Sequence, residues 1–208
     1  DAGSGSNAGL ASNYALTGSR TATITQAAVT VTTSDVVKTY DGTLSVAGAT
    51  TAASPIVLAG SNTQMFGGDT LSGGSYAFTN ANAGSSNRTV TVAGVSINDG
   101  NSGANYAVTY ASNTTSTINP AAITVSTSNV VKTYDGTTTA LGTPVAIAGS
   151  LFTNVSNGNT ADSLSGGSYA FIGANVSRQG GVASGAVLND KVVTVAGVTV
   201  NDGNSGGN

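Results

Sequence analysis

Residues 28–43 read AVTVTTSDVVKTYDGT, and the stretch returns almost unchanged at residues 122–137 as AITVSTSNVVKTYDGT. In the first half of each copy, Val or Ile alternates with Thr or Ser, which is the period of two expected of a half-buried β-strand. Each copy ends in Tyr-Asp-Gly, which is typical of a tight turn because Gly adopts positive φ readily and Asp accepts hydrogen bonds from nearby amides. The stretch therefore predicts a strand followed by a turn, present twice.

Two further stretches recur in the same order. DTLSGGSYAF at 69–78 returns as DSLSGGSYAF at 162–171, and VTVAGVSINDGNSGAN at 90–105 returns as VTVAGVTVNDGNSGGN at 193–208. The interval between these two stretches is ten residues longer in the second copy. Self-similarity of this kind is the signature of tandem repeat units, so we expect two copies of one domain that differ mainly in one loop.

The N-terminal segment resembles the end of the complete repeat. Residues 13–30, NYALTGSRTATITQAAVT, match residues 105–124, NYAVTYASNTTSTINPAAIT, with a length difference of two. The sequence therefore predicts three units. Residues 1–27 hold the C-terminal strand region of a preceding repeat, residues 28–121 form a complete β repeat, and residues 122–208 form a second repeat that lacks its last strand.

Composition favours strands over helices. Only 7% of residues are charged, 39% are hydrophobic and 29 are Gly. Frequent short alternating segments separated by Gly, Asn and Asp predict an all-β protein built as tandem immunoglobulin-like β-sandwich repeats in an elongated rod. A β-grasp-like repeat with one short helix in the Ala-rich stretch 46–58 is the alternative, although Gly48 and Pro55 disfavour that helix.

Composition also bears on function. The net charge is −3 and the six Lys and Arg residues are scattered, whereas nucleic-acid binding requires clustered cations. No apolar stretch approaches the ~20 residues of a membrane-spanning helix. The chain contains no His, Cys or Glu, so the commonest general bases, thiol nucleophiles and metal ligands are missing. We therefore expect no enzyme, no catalytic or metal-binding residue and no cofactor.

The run VVKTYDGT at 36–43 and its copy at 130–137, with the Leu-Ser-Gly-Gly and Val-Thr-Val-Ala-Gly-Val stretches, resemble the YDG-type tandem repeat of bacterial filamentous-haemagglutinin-like surface exoproteins. Those adhesins are secreted, often by two-partner secretion. The resemblance implies an extracellular place on the bacterial cell surface and a role in cell adhesion, biofilm or extracellular filament formation. A discrete module that binds one glycan or host protein is the alternative.

The incomplete repeats at both ends and the composition predict the partners. We expect copies of the chain or flanking repeats, arranged head to tail in a filament, with surface glycans or neighbouring fibres as further partners. No nucleic acid and no membrane span are expected.

The repeated turn supplies the candidate site residues, which we interpret as structural. Its tyrosines are expected to bury their rings while the hydroxyl reaches a partner. Its lysines either lie with the ammonium in water or paired with Asp, or form an intramolecular isopeptide bond to an Asn. The structural turn residues are Lys38, Tyr40, Asp41, Gly42, Lys132, Tyr134, Asp135 and Gly136.

The Asn-Asp-Gly-Asn-Ser-Gly run at 98–103 and 201–206 superficially resembles a calcium loop. An EF-hand needs a bidentate Glu, which the chain lacks, so a polar interstrand turn is the favoured interpretation over a calcium site.

A sandwich without its last strand exposes backbone groups and an apolar groove. The missing strand comes either from the continuation of a longer polypeptide, which we favour, or from Tyr14, Leu16 and Ile24 of a neighbouring copy. Both arrangements predict an open head-to-tail assembly.

Overall fold

The computed structural model of the chain describes residues 18–46, 56–60, 65–153 and 161–208. Across these ranges the chain is all-β, and its one helical segment there is a single 3-10 turn at Gln179–Gly181. The predicted all-β class is confirmed. Within the same ranges, no helix has the length and apolar character needed to cross a membrane.

The strands of the described residues range in length from two to fifteen residues. In the first repeat they are β1 (Ala27–Thr33), β2 (Val37–Thr39), β3 (Ile56–Leu58), β4 (Thr70–Phe78), β5 (Gly84–Asn98), β6 (Tyr106–Tyr110) and β7 (Asn113–Asn119). In the second repeat they are β8 (Thr124–Thr127), β9 (Thr139–Ala140), β10 (Pro144–Ala148), β11 (Ser163–Phe171) and β12 (Val193–Asn201).

The first repeat consists of a three-stranded sheet, ordered β3-β1-β6, and a four-stranded sheet, ordered β2-β7-β5-β4. Strand β1 pairs with β6 in parallel, and β2 pairs with β7 in parallel. The first two strands of the repeat, β1 and β2, therefore run parallel to its last two, β6 and β7. Each of these strand pairs begins in the three-stranded sheet and continues in the four-stranded sheet. All other pairs in these two sheets are antiparallel.

The core of the first repeat is formed by side chains from both sheets. Val29 and Val31 alternate with more exposed residues along β1, as the period of two predicts, and both are fully buried. Val29 packs with Ile97 of β5 and Tyr106 of β6. A second cluster around Phe78 fills the end of the repeat near β2 and β7.

The finer fold prediction, an immunoglobulin-like sandwich, stays a prediction. Most of the stretch that the β-grasp alternative would make helical, residues 47–55, lies outside the described residues. The last part of that stretch, Ile56–Leu58, is strand β3 and pairs antiparallel with β1.

The second repeat forms fewer pairs. Strand β8 pairs with β10, and β12-β11-β9 form a second sheet, so the pairings β1–β3 and β4–β5 of the first repeat have counterparts. Residues 128–135, which correspond to the region of β2, form no strand. The physical reason is that β2 is paired by β7 in the first repeat, and residues 122–208 contain no stretch that matches the sequence of β7.

The repeated Leu-Ser-Gly-Gly stretch is explained by close packing at its second glycine. Gly74 has φ of 90°, and a Cβ there would lie 2.7 Å from Cγ2 of Val95. Gly167 has φ of 93°, and a Cβ there would lie 2.8 Å from Cγ2 of Val198. Both positions therefore require glycine in the middle of a strand.

The ten extra residues of the second repeat lie where the sequence predicts a longer loop, between Phe171 and Val193. Most of this loop is exposed. Arg178 and Val187 form an isolated antiparallel bridge, and Nη1 of Arg178 donates to the carbonyl oxygen of Gly185 at 2.9 Å.

Candidate functional site

The Tyr-Asp-Gly turn of the first repeat is organised around the carboxylate of Asp41. Its Oδ1 accepts hydrogen bonds from the amide of Thr43 at 2.9 Å and from Nζ of Lys38 at 2.7 Å. Gly42 takes φ of 75°, which permits the tight return. Nζ of Lys38 also donates to the carbonyl oxygens of Thr43 and Ser45 at 2.8 and 2.9 Å. The buried ammonium therefore has an acceptor for each of its three protons.

The turn of the second repeat has the same contacts. Nζ of Lys132 lies 2.8 Å from Oδ1 of Asp135 and donates to the carbonyl oxygens of Thr137 and Thr139. Gly136 takes φ of 77°. The second repeat forms this turn without counterparts of β6 and β7. The residues of the turn itself are therefore sufficient to shape it. In both turns the lysine is ion-paired with Asp.

The two ion pairs differ in exposure. The Lys38 side chain is 2% exposed and that of Lys132 is 17% exposed. Desolvation raises the pKa of Asp41, but hydrogen bonds from Lys38 and Thr43 outweigh it and lower the pKa below 3.8. The hydrogen bond from Lys132 is the main cause that lowers the pKa of Asp135 to about 2. Both carboxylates are therefore ionised at neutral pH.

The Asn-Asp-Gly-Asn-Ser-Gly loops are closed by Asp side chains. Asp99 accepts hydrogen bonds from the amides of Asn101, Gly103 and Asn105 at 2.8, 2.7 and 3.1 Å. Asp202 accepts the corresponding bonds from Asn204, Gly206 and Asn208 at 2.8, 2.9 and 2.8 Å. Backbone N–H groups surround these carboxylates, whereas a calcium ion requires a shell of oxygen ligands. Among the described residues, no three acidic side chains come together as a metal site.

Tyr40 connects the two repeats. Its hydroxyl donates to Oδ1 of Asp162 at 3.2 Å, and its ring meets that of Phe152 edge-on, with centroids 5.4 Å apart. Oδ2 of Asp162 accepts the amide of Phe152 at 3.1 Å. Desolvation, followed by the charge of Asp162, raises the pKa of Tyr40 to about 12. The tyrosine of the turn is thus buried at a junction between repeats and stays neutral.

Asn208 adds a polar contact to this junction. Its Oδ1 accepts the amide of Ala83 at 2.7 Å, and its Nδ2 donates to Oδ1 of Asn82 at 3.3 Å. Only residues 120–123 separate β7 of the first repeat from β8 of the second. The repeats therefore adjoin through a short link and several side-chain contacts.

An open groove of about 760 Å³ lies in the second repeat. It is bounded on one side by residues 126–132 and on the other by residues between 187 and 193. These ranges correspond to the region of β2 and to the first half of β5, which are the neighbours of β7 in the first repeat. The groove is therefore the place that β7 fills in the first repeat. Tyr134 beside it is 60% exposed, whereas Tyr40 is 3% exposed.

The sequence-predicted strand donors fall partly outside the described residues. Tyr14 and Leu16 belong to residues 1–17, which the structure does not describe. Ile24 is 99% exposed, and residues 18–26 around it are exposed and belong to no strand. Its counterpart in the first repeat, Ile118, is 0% exposed.

Sequence reasoning missed Asp162, Phe152 and Asn208 as residues of the junction. The signal for Asp162 was present, because the repeated stretches begin with Asp at both 69 and 162. Phe152 has no such signal, since it lies outside the repeated stretches.

The first repeat is thus a two-sheet β unit. Its first strands pair in parallel with its last strands, and an ion pair between Lys and Asp stabilises its Tyr-Asp-Gly turn. Residues 25–115 match the family model of the YDG domain, which supports a YDG-type domain over this segment. The match spans β1 to β6 and includes the Tyr-Asp-Gly turn at 40–42. Neither among the curated proteins nor among the solved structures does any protein match the chain.

Proposed function

We propose that the chain is a structural and adhesive segment of a secreted fibre on the bacterial cell surface. The observation that carries this proposal is the junction, in which Tyr40 of one repeat is buried against Asp162 and Phe152 of the next. A short link alone would leave two domains free to swivel, whereas a buried aromatic contact and further hydrogen bonds fix their relative direction. Repeats joined in this way form a stiff rod.

The strand topology suits such a rod to bear tension. Because β1 runs parallel to β6 and β2 to β7, tension applied at the two ends of the first repeat pulls these pairs along their length in opposite directions. The evenly spaced hydrogen bonds of a parallel pair are then loaded together. A pair opened from one end would instead lose its bonds one at a time, at lower force.

Surface chemistry supports adhesion. The chain has few charged side chains and many Ser, Thr, Asn and Gly residues, which offer numerous weak hydrogen-bonding groups. Such a surface suits many weak contacts with glycans or neighbouring fibres, whose sum gives avidity.

Single-molecule force spectroscopy tests the mechanical part. Cysteine handles introduced by Gln26→Cys and Pro120→Cys load β1–β2 against β6–β7 along their length. The matched control, Gln26→Cys with Asn105→Cys, opens the same strands from one end. We expect a clearly higher unfolding force for the first pair of handles. Equal forces would contradict a load-bearing role.

Surface display tests the adhesive part. We expect a non-adherent bacterium that displays the chain to bind abiotic surfaces and other cells weakly. No single sugar should give saturable binding. A single strong, saturable hit on a glycan array would favour the discrete binding module instead.

A further inference from the structure

We infer that Phe152 and Asp162 of the second repeat form a docking element whose partner is a Tyr-Asp-Gly end, here that of the first repeat, and that docking completes the hydrophobic core of the partner. The inference deepens the proposed fibre role and rests on it for its biological purpose, whereas its contacts all lie within the chain. The two repeats are then not independent domains, because the second contributes to the stability of the first.

The core of the first repeat includes one side chain from the second. Its cluster at the end near β2 and β7 is formed by six buried residues, against which Phe152 packs together with Ala121 of the link. The ring of Phe152 meets that of Tyr40 edge-on, an arrangement that stabilises beyond the burial of apolar area. Loss of this ring would expose the end of the cluster to water. The six cluster residues are Val36, Tyr40, Phe78, Ala83, Val90 and Ile118.

Asp162 holds Phe152 in place, although the two residues are ten positions apart. The amide of Asp162 donates to the carbonyl oxygen of Phe152 at 2.8 Å, and Oδ2 of Asp162 accepts the amide of Phe152 at 3.1 Å. Oδ1 accepts the hydroxyl of Tyr40 at 3.2 Å. One carboxylate, in a residue that is 8% exposed, therefore both positions the aromatic ring and binds the tyrosine of the partner.

Gly149 brings this element against the link between the repeats. Strand β10 shifts register between Ala146 and Ala148, whereas its counterpart β3 pairs with β1 without a shift. Gly149 follows with φ of 79°, and a Cβ there would clash with the carbonyl oxygen of Ala122 in the link. The corresponding Gly60 also has a positive φ, 69°, but a Cβ there would meet nothing within 4 Å. The close approach of the backbone to the link is therefore specific to the second repeat.

Hydrogen exchange of backbone amides in the 208-residue chain tests the inference. The reporters are amides that are hydrogen-bonded within the first repeat beside the cluster, namely those of Tyr40, Phe78 and Thr117. We expect Phe152→Ala to make their exchange at least about tenfold faster, because loss of a core aromatic ring destabilises the elements packed on it. Leu141→Ala, at a 92% exposed position of the same repeat, should leave their exchange unchanged. Unchanged exchange of the reporters in Phe152→Ala, or an equal effect in Leu141→Ala, would overturn the inference.

A second pair of variants displaces the docking element without removing its ring. Gly149→Ala introduces the clash with Ala122, so Phe152 moves away from the first repeat and the same reporters should exchange faster. Gly180→Ala is the matched control, since Gly180 has φ of 70° but a Cβ there would approach only Cγ2 of Val182, at 4.0 Å. It introduces the same backbone strain and should leave the reporters unchanged.

The milder Phe152→Leu keeps the test decisive if Phe152→Ala does not fold. A severalfold faster exchange of the reporters is expected for it, because part of the apolar contact with the cluster is retained. Faster exchange that is confined to amides of the second repeat would overturn the docking element. The force measurement and surface display would still decide the fibre role in that case.

Discussion

The hydroxyl of Tyr40 in the first repeat donates a hydrogen bond to Oδ1 of Asp162 in the second, at 3.2 Å. The Tyr-Asp-Gly turn therefore has two separable parts. Lys38, Asp41 and Gly42 shape the turn locally, and Tyr40 contacts both the core of its own repeat and the adjoining repeat. The motif thus links the folding of one repeat to its attachment to the next.

Tyr40→Phe tests the contribution of this hydroxyl. The ring contact with Phe152 is retained, but Asp162 loses one hydrogen-bond donor, so we expect a loss of about 1 kcal/mol in the free energy of unfolding. Urea denaturation at low protein concentration measures it. Tyr134→Phe is the matched control, since that side chain is 60% exposed, and it should leave the stability of the monomer unchanged. Equal effects of the two variants would contradict a role of Tyr40 at the junction.

Alkaline pH should weaken the junction. The pKa of Tyr40 is raised from 10.0 to about 12, chiefly by desolvation and then by Asp162. The unfolded chain therefore loses this proton at lower pH than the folded chain, and stability falls as the pH rises from about 10 to about 12. Below pH 10 the contribution is fully present.

Tyrosinate absorbance can follow this titration directly. The pKa of Tyr106 is also raised, mainly by its hydrogen bond to Asp69, so the signal of Tyr40 has to be isolated as a difference. We expect the spectrum of wild type minus Tyr40→Phe to show one tyrosine that ionises near pH 12. A difference curve centred near the ordinary value of 10.0 would show that Tyr40 is not buried as described.

The local parts of the fold were predictable from sequence and the long-range parts were not. Val29 and Val31 alternate with Thr, and Gly42 follows Asp41, so strand and turn follow from neighbouring residues. Tyr40 and Asp162 lie 122 residues apart, and no local pattern specifies their contact. The parallel pairing of β1 with β6 likewise depends on the whole repeat, because it joins strands at opposite ends of the domain.

Asp41→Asn should be more damaging than the same change in the other turn. The substitution removes the charge partner of Lys38, whose side chain is 2% exposed, and leaves a buried ammonium with carbonyl acceptors only. We expect a loss of about 2 kcal/mol in the free energy of unfolding, less than for a fully buried pair because Asp41 is partly exposed. Asp135→Asn is the control and should have little effect, because its turn is open to solvent. Thermal denaturation of both variants would compare them, and a larger effect at Asp135 would contradict the assignment.

Calcium should not stabilise the chain. The carboxylates of Asp99 and Asp202 each accept three backbone amides, so a cation would have to displace donors that already satisfy them. We expect the melting temperature to be the same with calcium chloride and with a chelator. Asp202→Asn should lower it in both solutions alike, since the loop loses acceptors irrespective of the ion. A rise with calcium that disappears in Asp202→Asn would instead establish a calcium loop.

Ile118→Ala and Ile24→Ala should differ sharply in their effect on stability, although the two residues occupy matching positions in the sequence. Ile118 is completely buried in the filled groove of the first repeat, so its truncation removes apolar contacts and leaves a cavity. Such a change costs about 3 kcal/mol and should lower the unfolding midpoint of the monomer strongly. Ile24 is 99% exposed, and its truncation should leave the monomer as stable as wild type.

Chemical denaturation of both variants and of the wild type measures the difference. Equal losses of stability in Ile24→Ala and Ile118→Ala would contradict the burial of Ile118 in the core of the first repeat.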